Sequence, residues 1–332
     1  MSSCGHHATA LLAEYGELFV WGTGVPGVLG LGDRINQFTP KHLGGDKVFG
    51  ERLVQVSMQK NHCCAITERG SVFTWGDGAA GRLGHGDQES VLRPRLIPRD
   101  AFDGAHVSMV TGGERHSVAL TVEGKLFIWG WRCSGRLGLG YLDGPADENR
   151  YVPAPLPMAS FPSRIVMIAA GEAHTLALTD MGDVYTWGCG SGWRLGFEDN
   201  ADRHVPVLLQ EGSKFDSQVL LISAGSQHNM AVTAQGKLWA WGNSEFGQVG
   251  LGYTGRWKPT PLNPRTRTTL RWLAARAFGR GGKRRPFNGA NVLMAACGYY
   301  HTLALTDKGS VWVWGRNCDG ALGVHDDANR SG

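Results

Sequence analysis

The chain has 332 residues, a formal net charge of +4 and seven cysteines, and its composition pairs 49 glycines with 12 tryptophans. Glycine weakens regular elements and tryptophan needs a packed core, so the pairing points to many short strands joined by tight turns. No apolar run reaches the roughly 20 residues of a membrane span, no window reads as a secretory leader, and the scattered cysteines contain no C-x-x-C pair. The expectation is an intracellular protein, cytoplasmic or nuclear with an organelle left open, holding reduced thiols and neither a disulfide framework nor a metal site.

Taken in chain order, the dominant signal is an internal repeat. Trp-Gly recurs at Trp21, Trp75, Trp129, Trp187, Trp241 and Trp314, at spacings of 54, 54, 58, 54 and 73 residues. In five copies a histidine (His62, His116, His174, His228, His301) opens a His-x-x-Ala-(Ile/Leu/Val)-Thr segment and stands eight residues before a glycine; the first copy has Ala8 in that slot. One repeated position implies one repeated structural task, a buried imidazole hydrogen-bonded to backbone, rather than a metal site. An aromatic residue always lies two before the tryptophan (Phe19, Phe73, Phe127, Tyr185, Trp239, Trp312), which places both rings on one face of a strand. The opposite face is aliphatic or small, so this strand is expected between two other layers. A Gly-x-(Leu/Val)-Gly turn follows, broken only in the fourth copy, where Trp193 replaces the first glycine. A proline-bearing segment and a β-branched run bring each period to about four strands.

The layout Gly-x-x-His-x-x-Ala-Leu-Thr, glycine, aromatic-x-Trp-Gly, Gly-x-Leu-Gly resembles the regulator of chromosome condensation repeat and covers nearly the whole chain. The resemblance implies an all-β β-propeller of four-stranded blades, seven-bladed in the family, where six repeats are visible here. The first copy shows no strand before Gly5 and the last stops after Gly323, so an incomplete ring is one reading of residues 1–332 as a single propeller domain. The family's plant UV-B photoreceptor carries its chromophore tryptophans two residues before the repeat histidine. Here those positions are Lys60, Glu114, Glu172, Ser226 and Tyr299, which argues against light sensing by that route.

Gly22-x-Gly24-x-x-Gly27 and Gly76-x-Gly78-x-x-Gly81 match a dinucleotide fingerprint, but no helical pattern follows either one, so both read as turns. No Ser/His/Asp set or paired carboxylates appear, and the expectation is a non-enzymatic protein without cofactor or small-molecule substrate.

The exceptions to the repeat are the candidates for function. Trp131 and Trp193 lie on turns and are either packed there or offered to a partner. Arg82, Arg136 and Arg194 share one turn position in three consecutive copies; with Arg132 and the two tryptophans they are expected to line a partner-binding propeller face, the other reading being solvated turn charges. The fifth copy holds an insertion. From Arg256 to Pro286 it carries ten basic residues and no acidic one, and removing them from +4 leaves −6 on the rest. Leu270, Leu273, Ala274, Ala277 and Phe278 have the spacing of one helical face. This 256–286 arm, with Arg265, Arg267, Arg271, Trp272, Arg276, Arg280, Lys283, Arg284 and Arg285, either contacts a partner or packs on the propeller. A partner protein or multiprotein assembly is the leading reading. Two others are exchange of guanine nucleotide on a Ran-type small GTPase, with a wedge at Tyr141–Tyr151, and nucleic-acid or chromatin binding by the arm. A membrane is the least favoured surface.

Overall fold

The computed structural model describes residues 2–140, 149–209, 215–250, 271–272 and 286–323. They form six antiparallel sheets, each built from consecutive strands. Blade 3 shows the pattern: Val107–Gly112, His116–Thr121, Leu126–Gly130 and Arg150–Pro155, pairing in that order. Blades 1 to 5 have four strands and blade 6 has three described ones. The architecture is the all-β propeller the repeat implies. The first copy does possess an innermost strand: Ser2–Cys4 pairs with Ala8–Leu12, Ser2 opposite Leu11. It escapes a sequence reading because three residues carry no alternation.

The second and third strands of blades 2 to 4 are buried along their whole length, on both faces. Each of these three blades is therefore an inner layer covered by its two neighbours, and alternation between apolar and polar positions disappears there. Trp75, Trp129, Trp187, Trp241 and Trp314 fill the contacts between blades and are at most 1% exposed. Each is a large ring that removes on the order of 200 Å² from water. The glycine after each tryptophan has a φ between 105° and 113°, and at Gly130 a Cβ would lie 2.7 Å from the His116 Cα, so the strand can turn only at glycine there.

Both fingerprint-like segments are turns. Gly78 leads into a three-residue 3₁₀ turn, Ala79–Gly81, which gives no helix N-terminus for a pyrophosphate. The expected helix in the arm is also corrected at its start: Arg271–Trp272 is a strand that pairs with blade 5, Trp239 opposite Trp272 and Ala240 opposite Arg271. Arg265, Arg267, Arg276, Arg280, Lys283, Arg284 and Arg285 lie outside the described residues, as does 141–148 of the expected wedge. Among the described residues no helix is long and apolar enough to cross a membrane, and no group of three metal-ligating side chains occurs.

Candidate partner-binding face

Four of the five repeated histidines, His62, His116, His174 and His228, are buried and His301 is half-buried, and the partner of the buried four is not backbone. In those four the Nε2 reaches a side chain of the next blade. His62 meets Ser117 Oγ at 2.8 Å, His116 meets Thr175 Oγ1 at 3.0 Å, His174 meets Asn229 Oδ1 at 2.7 Å and His228 meets Thr302 Oγ1 at 2.9 Å. Those partners immediately follow the repeat histidine of their own blade. Ser117 Oγ in turn donates to the Arg82 carbonyl, which also accepts the indole N–H of Trp129. The same relay passes from Thr175 and Trp187 to the Arg136 carbonyl, and from Thr302 and Trp314 to the Gln248 carbonyl. A latch of imidazole, hydroxyl, main-chain carbonyl and indole thus ties blade to blade. Burial holds all four imidazoles well below the ordinary histidine range, with nearby arginines adding to the effect for His62, His116 and His174; His174 and His228 fall to about 3. The Gly-x-x-His spacing is explained as well: a Cβ at Gly113 would come within 2.3 Å of His116 Cε1.

The arginine arc is corrected by the same geometry. Arg82, Arg132, Arg136 and Arg194 are at most 5% exposed, not offered to solvent. The Nε of Arg82, Arg136 and Arg194 donates to the carbonyl three residues earlier (Ala79, Cys133, Ser191), closing the 3₁₀ turn it follows. Arg82 also pairs with Asp77 at 3.0 Å and Arg132 donates to the Gly140 carbonyl. A guanidinium held this way is satisfied within the fold, which is why one turn position recurs as arginine. Trp193 is half-buried and takes a positive φ of 56° where other copies use glycine.

What remains accessible lies at the mouth of the central channel. The turns joining the first and second strands of all six blades line it, through His6, Lys60, Glu114, Glu172, Ser226 and Tyr299 among others. Lys60 Nζ sits 2.8 Å from Glu114 Oε1, and Ser226 Oγ donates to Glu172 Oε2 at 2.6 Å. Burial alone would raise the Glu114 carboxyl, but the hydrogen bond and charge of Lys60, with Arg115 and Arg82, hold it below the usual carboxylate range. Burial, helped by Glu172, pushes the Tyr299 phenol well up.

Two aromatic clusters adjoin residues of this mouth in the chain, one through Arg115 after Glu114 and one through Tyr300 after Tyr299. Half-buried Trp131 is stacked between two guanidinia, Arg115 at 4.6 Å and Arg136 at 4.5 Å from the ring centre, and Arg115 itself is exposed. In the second cluster Arg316 lies over Phe246 at 5.2 Å and Tyr300 at 5.5 Å, while Tyr299 and Tyr300 pack edge to face. All of these aromatics are partly exposed. Sequence reasoning missed Arg115, Phe246, Tyr300 and Arg316, because nothing in one repeat shows that turns 54 to 73 residues apart converge; a count of aromatic and arginine residues just before each repeat histidine and just after each Trp-Gly would have found them.

The model of the RCC1-like domain matches residues 1–284, and that of the regulator of chromosome condensation (RCC1) repeat matches 295–321. The chain belongs to the RCC1 family. Its RCC1-type relatives include the ultraviolet-B receptor UVR8 of Arabidopsis thaliana, 33% identical over 99% of this chain and 68% of the relative. The mitochondrial RCC1 domain-containing protein RUG3 of the same plant is 31% identical over 97% of this chain and 66% of its own length. The chain therefore spans about two thirds of each. Among solved RCC1-like folds, human WBSCR16 superposes with a TM-score of 0.80 at 23% identity, covering 99% of this chain and 80% of that one. Prp20p of Saccharomyces cerevisiae gives 0.77 at 21% identity, covering 99% and 75%.

Proposed function

We propose that this RCC1-type propeller is a non-enzymatic interaction scaffold that binds a protein partner through the channel-mouth face. The observation that carries the reading is the pair of cation–π clusters, Arg115 and Arg136 on Trp131 and Arg316 on Phe246 and Tyr300, whose members Arg115 and Tyr300 directly follow the channel-mouth residues Glu114 and Tyr299. Arginine and large aromatics are the residue types that dominate the energetics of protein interfaces, and stacking holds these side chains in place before any partner arrives. Ionic groups at the channel mouth, Lys60 with Glu114 and Glu172 with Ser226, are already paired, so they add selectivity to an encounter more than affinity.

The test is co-purification of the native protein with its partner, followed by measurement of affinity for the Trp131→Ala and Arg316→Ala variants. Each is expected to weaken binding at least about tenfold, the ordinary cost of losing an interface anchor. Unchanged affinity in both variants moves the contact to another surface.

A second reading is nucleotide exchange on a Ran-type GTPase. It has fold-level support from Prp20p, whose structure is described together with its binding properties to Gsp1p and histones. Purified protein that fails to accelerate release of labelled GDP from such a GTPase rejects it. The basic 256–286 arm supports a third, contact with nucleic acid, for which affinity must fall steeply with salt. At the five positions where the UV-B photoreceptor family member was expected to carry chromophore tryptophans, the channel mouth has Lys60, Glu114, Glu172, Ser226 and Tyr299, and light reception forms no part of the proposal.

A further inference from the structure

In five repeats a glycine stands three residues before the histidine position (Gly5, Gly113, Gly171, Gly225, Gly298), and the second repeat has Gln59 in its place. The departure sits inside the channel. Gln59 is 8% exposed and lines a cavity of about 200 Å³ together with Glu114, Glu172 and Tyr299. Its amide carbon lies 3.0 Å from where a Cβ would stand on Gly112, another residue of the same wall. Its Nε2 donates to Ser57 Oγ at 2.6 Å, while its Oε1 has no partner among the described residues. A buried acceptor without a donor is costly, so it marks a place where a donor is missing.

Charge in the cavity is unequal in the same sense. Its lining holds one ammonium, Lys60, and two carboxylates, Glu114 and Glu172, and the ammonium is committed to Glu114 Oε1 at 2.8 Å. Glu172 takes its hydrogen bonds on Oε2, from Ser226 Oγ at 2.6 Å and Gln227 Nε2 at 3.3 Å, which leaves Oε1 without a partner among the described residues. His6 adds no charge. Burial, with His7, Lys60 and Arg316, lowers its imidazole below the ordinary histidine range, so at pH 7 it is neutral, and its buried Nδ1 has no partner either. Arg82, which reaches the Glu114 carbonyl, is paired with Asp77 at 3.0 Å. The lining thus carries one uncompensated negative charge and more free acceptors than donors.

We propose that the channel mouth is a binding site for one organic monocation, a guanidinium or primary ammonium on an alkyl stem, whose charge is balanced by Glu172 and whose N–H groups fill the free oxygens of Glu172 and Gln59. A volume of about 200 Å³ is the share of roughly six water molecules, room for a planar head and part of its stem. Guanidinium donates in several directions at once, which suits acceptors contributed by blades 2 and 4. A divalent metal ion would share the space with the Lys60 ammonium, and no group of three ligating side chains occurs among the described residues. The monocation is either an arginine or lysine side chain of a protein seated on this face, a source that rests on the function proposed above, or a free amine.

The test is a ligand-detected NMR titration of the full chain at low ionic strength with butylguanidinium, and with butylurea as its uncharged counterpart. Butylguanidinium is expected to bind saturably at one site, and butylurea at least about tenfold more weakly. Glu172→Gln is expected to weaken butylguanidinium at least about tenfold, the loss of a charged hydrogen bond. Gln59→Gly restores the residue of the other repeats and is expected to weaken it about fivefold. Lys60→Met is expected to strengthen it at least about threefold, since a like charge is removed; damage to the fold does not tighten binding. An acetylated and amidated Gly-Gly-Arg-Gly-Gly peptide separates the sources: if it displaces butylguanidinium the source is a side chain, and if it does not the source is a free amine. Equal binding of butylguanidinium and butylurea overturns the proposal. So does an affinity unmoved by both Glu172→Gln and Lys60→Met, and so does tighter binding of calcium ion that Glu172→Gln abolishes. Failure of the partner-face reading is seen separately, in the affinity of the protein partner for Trp131→Ala and Arg316→Ala, which play no part in this titration.

Discussion

The imidazole of His116 and the hydroxyl of Thr175, 3.0 Å apart, belong to neighbouring blades and form the middle of a relay that ends on the Arg136 carbonyl and the Trp187 indole. The arrangement means that the repeat signature is legible as a set of contacts between blades rather than within them. Each of its residues can be tested through the neighbour it serves.

Removing one hydroxyl leaves an imidazole nitrogen without its partner at a fully buried site. Ser117→Ala is expected to destabilise the protein by about 1–3 kcal/mol, and the double variant with His62→Ala by less than the sum of the two single changes, with a coupling of about 1 kcal/mol. Urea unfolding of the four proteins measures this. Additive losses would show that the His62–Ser117 bond carries no energy of its own.

The fourth contact contains a natural defect. Asn229 stands where Ser117, Thr175 and Thr302 stand in blades 3, 4 and 6, its amide donates to the Arg194 carbonyl at 2.7 Å, and the buried Trp241 Nε1 has no acceptor among the described residues. A shorter hydroxyl there returns the carbonyl to the indole. Asn229→Thr is expected to raise stability by about 1 kcal/mol, the value of satisfying one buried donor. A fall in Tm would show that the His174–Asn229 bond outweighs the orphan indole.

Acid is expected to loosen the ring. The four buried imidazoles are neutral in the folded protein, with His174 and His228 lowered to about 3, while an unfolded histidine titrates near 6.5. Between those values the unfolded chain binds more protons than the folded one, so stability is complete above about pH 6.5 and is lost as pH falls, by up to about 1.4 kcal/mol per pH unit for each histidine. Tm measured from pH 7.5 to 5 should drop, and His174→Gln should show a shallower drop from its own lower starting point. An equal slope in wild type and variant would assign the acid sensitivity to other groups.

The Trp131 stack predicts a spectroscopic signature independent of any partner. Trp131 is partly exposed, and the exposed Arg115 covers one face of its ring. Arg115→Ala is expected to increase quenching of tryptophan fluorescence by iodide or acrylamide while leaving the unfolding free energy within about 1 kcal/mol of wild type, as for an exposed cation–π pair. Unchanged quenching would mean that the guanidinium does not shield the ring.

Much of the fold was legible because the propeller repeats its solution. Six Trp-Gly pairs in register gave the blades and the turn glycines, and four of the five repeat histidines lie in the interior. Their partners were not legible, since Ser117, Thr175 and Thr302 belong to the following repeat and period-based reading aligns copies without showing which copies touch. One sign was present: Ala8 lacks the imidazole and Cys63, its would-be partner on the next blade, lacks the hydroxyl, so both halves are missing together. The arginine arc misled for a related reason. Charge on a turn reads as solvent-facing, but Arg82, Arg136 and Arg194 fold back to close the turn before them. The channel-mouth pair Trp131 and Arg115 was half legible, the tryptophan as an exception to the repeat and the arginine not at all.

The acceptor at the centre of each latch is a peptide carbonyl, and its owner is Val28, Arg82, Arg136, Arg194 or Gln248 in successive blades. Because the bond is made by the main chain, the side chain at that point is released from the task of holding the ring together. Adjacent blades can thus diverge in the residue they carry there while their joint stays the same, and new surface chemistry can arise at a joint without loosening it.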